Sequence, residues 1–368
     1  MSAKIWKSAA VLAAAPLALV LAGCATNESS SESGTGADAT ADTATLSGTF
    51  NGAGASSQET AEAAWISGFQ AANNNVTVNY NPVGSGAGRE QFIQGAAVFA
   101  GSDSYLSDEE LAGSFGACAT GSSAIDLPVY ISPIAVAFNV EGVESLNLDA
   151  TTLAQIFSGK ITNWNDEAIA ALNPDVELPD LAITVVHRSD DSGTTENFTE
   201  YLYDNVPDVW ENEPSETFPY SFEGAQGTSG VVDAIKNGVG TIGYADASKV
   251  GDLSTASIKV GENFVALSSE AAAAVVDASP QVEGRAANDL AIDLDRTTTA
   301  DGTYPLVLVS YLIVCESYAD STDAQFVKEY VSYVASEEGQ QTAAEGAGSA
   351  PISDATRESI LTAVEAIS

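Results

Sequence analysis

From residue 46 onward, short apolar runs alternating every second position are interleaved with stretches whose apolar residues recur every three or four. The first spacing predicts strands and the second amphipathic helices, because side chains repeat every two residues along a strand and about every 3.6 around a helix. Their alternation predicts an α/β architecture with largely parallel sheets. No internal repeat is evident. Three places share one arrangement: a strand, a loop rich in Gly and Ser, then a helix start. In the first, residues 46–50 form the strand and 51–57 (NGAGASS) the loop; Ala61, Ala64, Trp65, Gly68 and Phe69 share a face of the helix beyond. Ser56 and Glu59 there fit a capping box. In the second, strand 76–80 leads through loop 81–88 (NPVGSGAG) to a short helix over 89–94. In the third, strand 183–186 leads through loop 187–194 (HRSDDSGT) to a helix over 195–203. Residues 304–315 are almost wholly apolar, as expected of a strand buried on both faces.

The first 45 residues follow neither pattern. Lys4 and Lys7 form a basic start, residues 9–21 are apolar, and LAGC follows at 21–24. The apolar stretch is short of the roughly 20 residues a membrane span requires. Residues 1–24 therefore read as a secretory signal whose lipobox ends at a lipid-modified Cys24, which would place the chain on the extracytoplasmic face of the cell membrane, the alternative being a non-lipidated signal with an incidental cysteine. Residues 25–45 contain no aromatic and no branched aliphatic residue, so they cannot offset ordering entropy by burial and read as a flexible tether. With Cys24 assigned to lipid, Cys118 and Cys315 remain as an even pair in an oxidising compartment. A disulfide between them is expected, the alternative being two buried free thiols.

Charge narrows the partners. The chain carries 51 acidic and 12 basic side chains, a formal charge of −39, and losing Lys4 and Lys7 with the signal takes −39 to −41. Nucleic acid and anionic membrane surfaces are repelled by such a chain. A buried anion site remains compatible with it, because salt screens exposed charges beyond about 8 Å.

The three loops would aim unpaired backbone N–H groups out of helix starts, where peptide dipoles also sum to partial positive charge. Hydroxyls of Ser56, Ser57, Ser85, Ser192 and Thr194 would add neutral donors. Arg188 in the third loop offers a planar fork for two oxygens of a tetrahedral anion, with Asp190 able to orient it. Asp103, in the segment GSDSYLS at 101–107, would repel an anion unless that anion brings a proton. Hydrogen phosphate does so, whereas sulfate does not. Read alone, Asp103 also fits a turn or a helix cap, and Arg188 a surface pair with Asp190 or Asp191.

Enzyme readings find little support. The single histidine, His187, has no neighbouring pattern for a triad. One His, three allocated Cys and dispersed carboxylates provide no metal centre, and no cofactor is expected. The cluster Asp190-Asp191-Ser192 lacks the base or metal clamp of a phosphatase.

Taken together, the segments GAGA (52–55), GSG (84–86), SD (102–103) with LS (106–107), FSGKITNWND (157–166), RSDDSGT (188–194) and GTIGY (240–244) resemble the phosphate-binding component of ABC-type phosphate importers. The resemblance runs from residue 46 nearly to the C-terminus. It implies a two-lobed periplasmic-binding-protein fold, with two hinge strands and a ligand cleft between the lobes. Lobe I would comprise 46–131 and 305–368 and lobe II 132–304, with crossovers near 128–134 and 303–306. That topology would bring Cys118 near Cys315. It also implies a phosphate site of Ser56, Ser57, Ser85, Asp103, Arg188, Ser192, Gly193 and Thr194, with Asp190 orienting the arginine. The first loop departs from the family, which often has threonine and then an aromatic residue where this chain has Ser56-Ser57. The segment around Trp164 and the turn at 240–244 read as structural. The expected function is capture of inorganic phosphate by a monomer and its delivery to an ABC permease, without catalysis. Rivals are a binder of arsenate, sulfate or molybdate, a secreted phosphatase, and a phosphate sensor or adhesion protein without a transport role.

Overall fold

The computed structural model describes residues 46–368. The expected signal segment, the lipobox with Cys24 and the tether lie outside the described residues. Strands are β1 (Gly48–Gly54), β2 (Val76–Asn81), β3 (Phe99–Ser102), β4 (Ala124–Asn139), β5 (Ser145–Leu148), β6 (Thr184–Arg188), β7 (Glu223–Ala225), β8 (Thr241–Asp246), β9 (Ser254–Val260), β10 (Asn263–Val265) and β11 (Val307–Cys315). Helices are α1 (Glu59–Ala72), α2 (Ser85–Ile93), α3 (Asp108–Leu111), α4 (Ala150–Phe157), α5 (Glu167–Leu172), α6 (Gly193–Asn205), α7 (Gly227–Asn237), α8 (Ala247–Val250), α9 (Ser269–Ala278), α10 (Ser321–Ala335), α11 (Glu337–Ala347) and α12 (Asp354–Ala366).

The 16-residue β4 belongs to two groups of strands. As far as Pro133 it pairs antiparallel with β11, completing the order β2-β1-β3-β11-β4. From Ile134 it pairs antiparallel with β8, which leads on to β6 and β7, and with β9, which carries β5 and β10. The sheets are more mixed than the alternating pattern suggested. Pairs β1/β2, β1/β3, β5/β9, β6/β7 and β6/β8 are parallel, while every pairing of β4 and β11 is antiparallel. Periodicity reports burial and carries no information about strand direction, so this could not be read locally.

Both long strands run through the core: all nine residues of β11 are buried, as are all but the last of β4. Helices close the first group's face through aromatic packing. Phe50 of β1 stacks on Phe326 of α10 with centroids 4.0 Å apart, and Trp65 of α1 is fully buried with Nε1 donating to Gly339 O at 2.8 Å. Each such ring contributes about 2–3 kcal/mol through burial, and the indole donor does not go unpaired. Cys118 and Cys315 are joined, with Cα atoms 5.4 Å apart. Among the described residues no helix is long and apolar enough to cross a membrane.

Local boundaries differ from expectation at the loops. β1 extends to Gly54, and α1 starts at Glu59 after Gln58, whose side chain does not cap the helix and instead donates from Nε2 to Tyr311 O at 3.1 Å. The capping box of Ser56 and Glu59 does not form, because Ser56 Oγ is engaged across the molecule by Thr228. α2 starts at Ser85 rather than Arg89. α6 starts at Gly193, with Ser192 Oγ accepting from Thr195 N at 3.2 Å as its cap. Trp164 is buried, with Nε1 donating to Gly240 O at 3.0 Å, and His187 stacks on Phe218 at 4.7 Å.

Candidate functional site

Each of the three Gly/Ser loops follows the C-terminal end of a strand and enters a helix. β1 leads to α1, β2 to α2 and β6 to α6. The loops are in contact with one another, and two glycines make this possible. A methyl group at Gly193 would fall 2.7 Å from both Asp103 Cβ and Ser85 Oγ. Gly84 has φ +102°, and a methyl there would fall 2.7 Å from Asp190 Oδ2 and 2.8 Å from Asp191 O. A larger residue would have to push aside the Asp103 and Ser85 side chains at Gly193, and the Asp190 carboxylate and Asp191 backbone at Gly84. Ser56, Ser57, Ser85, Asp103, Arg188, Ser192 and Thr194 are all buried. The structure thus brings the residues expected to form the phosphate site into one place.

Asp103 follows β3 and is surrounded by hydroxyls. Ser57 Oγ donates to Oδ1 at 2.6 Å, Ser310 Oγ donates to Oδ1 at 2.6 Å, and Thr194 Oγ1 donates to Oδ2 at 2.8 Å. Its own N–H donates to Ser85 Oγ at 3.1 Å, and its carbonyl accepts from Asn197 Nδ2 at 2.8 Å. A hydroxyl has one proton to give. Those of Ser57 and Thr194 are committed to the carboxylate, so at these positions an anion would be met by backbone N–H. Ser85 and Ser192 only accept in these contacts, from Asp103 N and Thr195 N, so their protons are available. The first-turn N–H groups of Gly193 and Thr194 have no acceptor four residues back inside α6.

Arg188 ends β6. Its Nε and Nη2 donate to Asp190 Oδ1 at 2.8 Å and Oδ2 at 2.5 Å. Two of its five N–H donors are thereby fixed, and the plane of the fork with them. Gly227 N, at the start of α7, donates to the same Asp190 Oδ1 at 3.0 Å. Burial alone would raise the Asp190 carboxyl; the hydrogen bonds and charge of Arg188, with that N–H, hold it below the usual carboxylate range.

Contacts between distant chain segments around the site involve residues that sequence reasoning missed. Thr228 N donates to Ser56 Oγ at 3.0 Å, and the two hydroxyls lie 3.0 Å apart. Arg89 reaches Glu216 with both Nη atoms, at 2.9 and 3.0 Å, while Nε holds Glu110 at 2.8 Å. Ser104 donates to Glu196, whose carboxyl burial pushes up. Thr228 lies 172 residues from Ser56 in sequence, and Ser310 lies 207 from Asp103, within a run that reads only as core. Only Arg89 gave a signal, being one of few cations in the chain and placed beside the second loop. Among the described residues no group of three or more His, Cys, Asp or Glu side chains is arranged to hold a metal ion.

Comparison with known proteins places the chain in a family. A family model described as the PBP superfamily domain matches residues 39–338. Phosphate-binding protein PstS 3 of Mycobacterium tuberculosis is 38% identical over 326 residues, covering 87% of this chain and 86% of its own. PstS 2 of the same species is 36% identical over 367 residues, covering 97% of both. Among solved structures, a phosphate-binding protein from Stenotrophomonas maltophilia superposes with a TM-score of 0.65 at 21% identity, covering 86% of this chain and 94% of that one. A putative phosphate ABC transporter substrate-binding protein with bound phosphate, from Clostridium perfringens, gives 0.58 at 19%, covering 82% and 98%. The two structures share the fold, and the two mycobacterial sequences carry the relationship further: the chain belongs to the PstS family of phosphate-binding proteins within the PBP superfamily.

Proposed function

We propose that the chain captures inorganic phosphate outside the membrane and delivers it to an ABC phosphate permease, without catalysis. One observation carries this reading: a carboxylate, Asp103, sits in the same buried site as the Arg188 fork, with three hydroxyls donating to it. A fully ionised anion would face that carboxylate as a like charge, whereas hydrogen phosphate would donate its proton to it. Ser56, Ser57, Ser85, Arg188, Ser192, Gly193 and Thr194 would serve the remaining oxygens, and Asp190 would hold the arginine.

In this reading residues 46–131 with 305–368 form one lobe and 132–304 the other, and the two close around the ligand as a hinge. The contacts of Thr228 on Ser56, Thr194 on Asp103 and Glu216 on Arg89 would all span that cleft and be made on closure. The chain would act as a monomer anchored by lipid at Cys24. Calorimetry with phosphate and sulfate tests the function. Tight phosphate binding with sulfate rejected is expected, and equal affinity for both or no phosphate binding would refute it. For the anchor, Cys24→Ala should release the protein from the membrane fraction.

A further inference from the structure

Ser310 stands in the middle of the apolar strand β11, at a break in its register. Val309 pairs with Ile131 and Ser310 with Tyr130, but Tyr311 pairs with Pro128, so Val129 is passed over. Proline has no N–H to give to a ladder, which accounts for an irregularity there. On its other edge β11 pairs with β3, with Tyr311 opposite Ser102 and Leu312 opposite Gly101. One step further along this antiparallel register, Asp103 comes opposite Ser310. The result is the 2.6 Å bond from Ser310 Oγ to Asp103 Oδ1, made by a side chain with no solvent exposure.

A carboxylate has about four lone-pair sites. Ser57 and Ser310 fill both on Oδ1, and Thr194 fills one on Oδ2. One site is left, on Oδ2. We infer that Ser310 is a positioning residue for anion discrimination: it saturates Oδ1 and leaves a single acceptor position, on Oδ2, for the proton of bound hydrogen phosphate. The inference rests on the phosphate reading above. Without Ser310, Oδ1 would hold a buried, unfilled acceptor site, which is costly for an ionised group, and the loss of a hydrogen bond to the charged form favours protonation. A protonated Asp103 could no longer take the ligand's proton.

The test is phosphate titration by calorimetry from pH 5 to 8 on the full chain, its Ser310→Ala variant, and Ser310→Cys, which fills the same volume with a weak donor should the alanine variant fail to fold. A weakening of roughly ten- to a hundredfold at neutral pH is expected for Ser310→Ala. More tellingly, the fall in affinity on the acid side should begin at higher pH than in the wild type. The other titratable or charged groups near Asp103 include Glu196 and Glu200 on α6 with Tyr105, Asp293 and Arg296 around the adjoining cavity, Asp246 at the start of α8 and Tyr80 on β2. These are common to all the proteins compared, so they cancel in the comparison. Ser310→Thr, which keeps the hydroxyl, should restore the wild-type profile even if its extra methyl lowers affinity throughout. A loss of the same factor at every pH would show that Ser310 only packs the strand, and would overturn the inference. A wild-type chain that binds no phosphate at any pH would instead overturn the function and the inference together.

Discussion

The two ends of the site are built from opposite materials. At one end a carboxylate, Asp103, is ringed by the neutral hydroxyls of Ser57, Ser310 and Thr194; at the other a guanidinium, Arg188, is pinned by Asp190. The Arg188 end supplies attraction that any tetrahedral anion would feel. The Asp103 end supplies none, and offers a place only to an anion with a proton to share. In the proposed reading, affinity and selectivity would therefore reside on different residues, in a chain whose overall charge would repel phosphate.

Removing the attractive end should have the largest effect. Arg188→Ala would leave the half-buried Asp190 without its partner and take away the cation that Asp190 holds in the third loop, a loss on the order of 3–5 kcal/mol. Calorimetry should register phosphate affinity falling by roughly a hundred- to several-thousand-fold. A tenfold loss or less would show that the N–H groups at the helix starts, rather than the guanidinium, hold the anion.

Next is a carboxyl outside both ends. Glu62 on α1 is fully buried, accepts from Tyr330 Oη at 2.7 Å, and is pushed by burial from 4.5 to about 8. Its folded value lies above its unfolded one, so the stability it allows is full below about pH 4.5 and lost as pH rises through about 8. Glu62→Gln should therefore raise stability at pH 9 by on the order of 4 kcal/mol, seen as a higher denaturant midpoint. Phosphate affinity at pH 7 should not move. A change there would mean that the pH dependence of binding is not confined to the Asp103 end.

Smaller effects belong to the contacts that would span the two proposed lobes. Glu216→Gln removes the charge from the paired bonds of Arg89, and phosphate should dissociate roughly tenfold faster in stopped flow. Lys249→Ala breaks a bond to Glu59, a side chain 42% exposed, and should change affinity less than about threefold. Equal effects from both would show that closure depends on net charge rather than on the buried pair.

What could be read from the sequence follows from the range of the interactions. A Gly/Ser loop before a helix is a local feature, so the three loops and the residues they carry were legible, as was Asp103 through its chemistry. Ser310 was hidden because its neighbours on β11 are apolar and its partner is set by strand register. Thr228 was hidden because it meets Ser56 only where two distant chain segments face each other. The box expected from Ser56 and Glu59 failed for the same reason: a tertiary partner took the hydroxyl that a local rule had assigned to a cap. Strand direction was illegible because β4 and β11 are buried whichever way they run.

The central claim is that Asp103 selects its ligand by demanding a proton. Calorimetry of phosphate and sulfate against the wild type and Asp103→Asn tests it most directly, since the amide keeps the shape but removes the charge and adds a donor. The account predicts that the wild type binds phosphate and rejects sulfate, and that in Asp103→Asn the preference shrinks at least tenfold as sulfate gains a foothold. A variant that rejects sulfate as strongly as the wild type would contradict it.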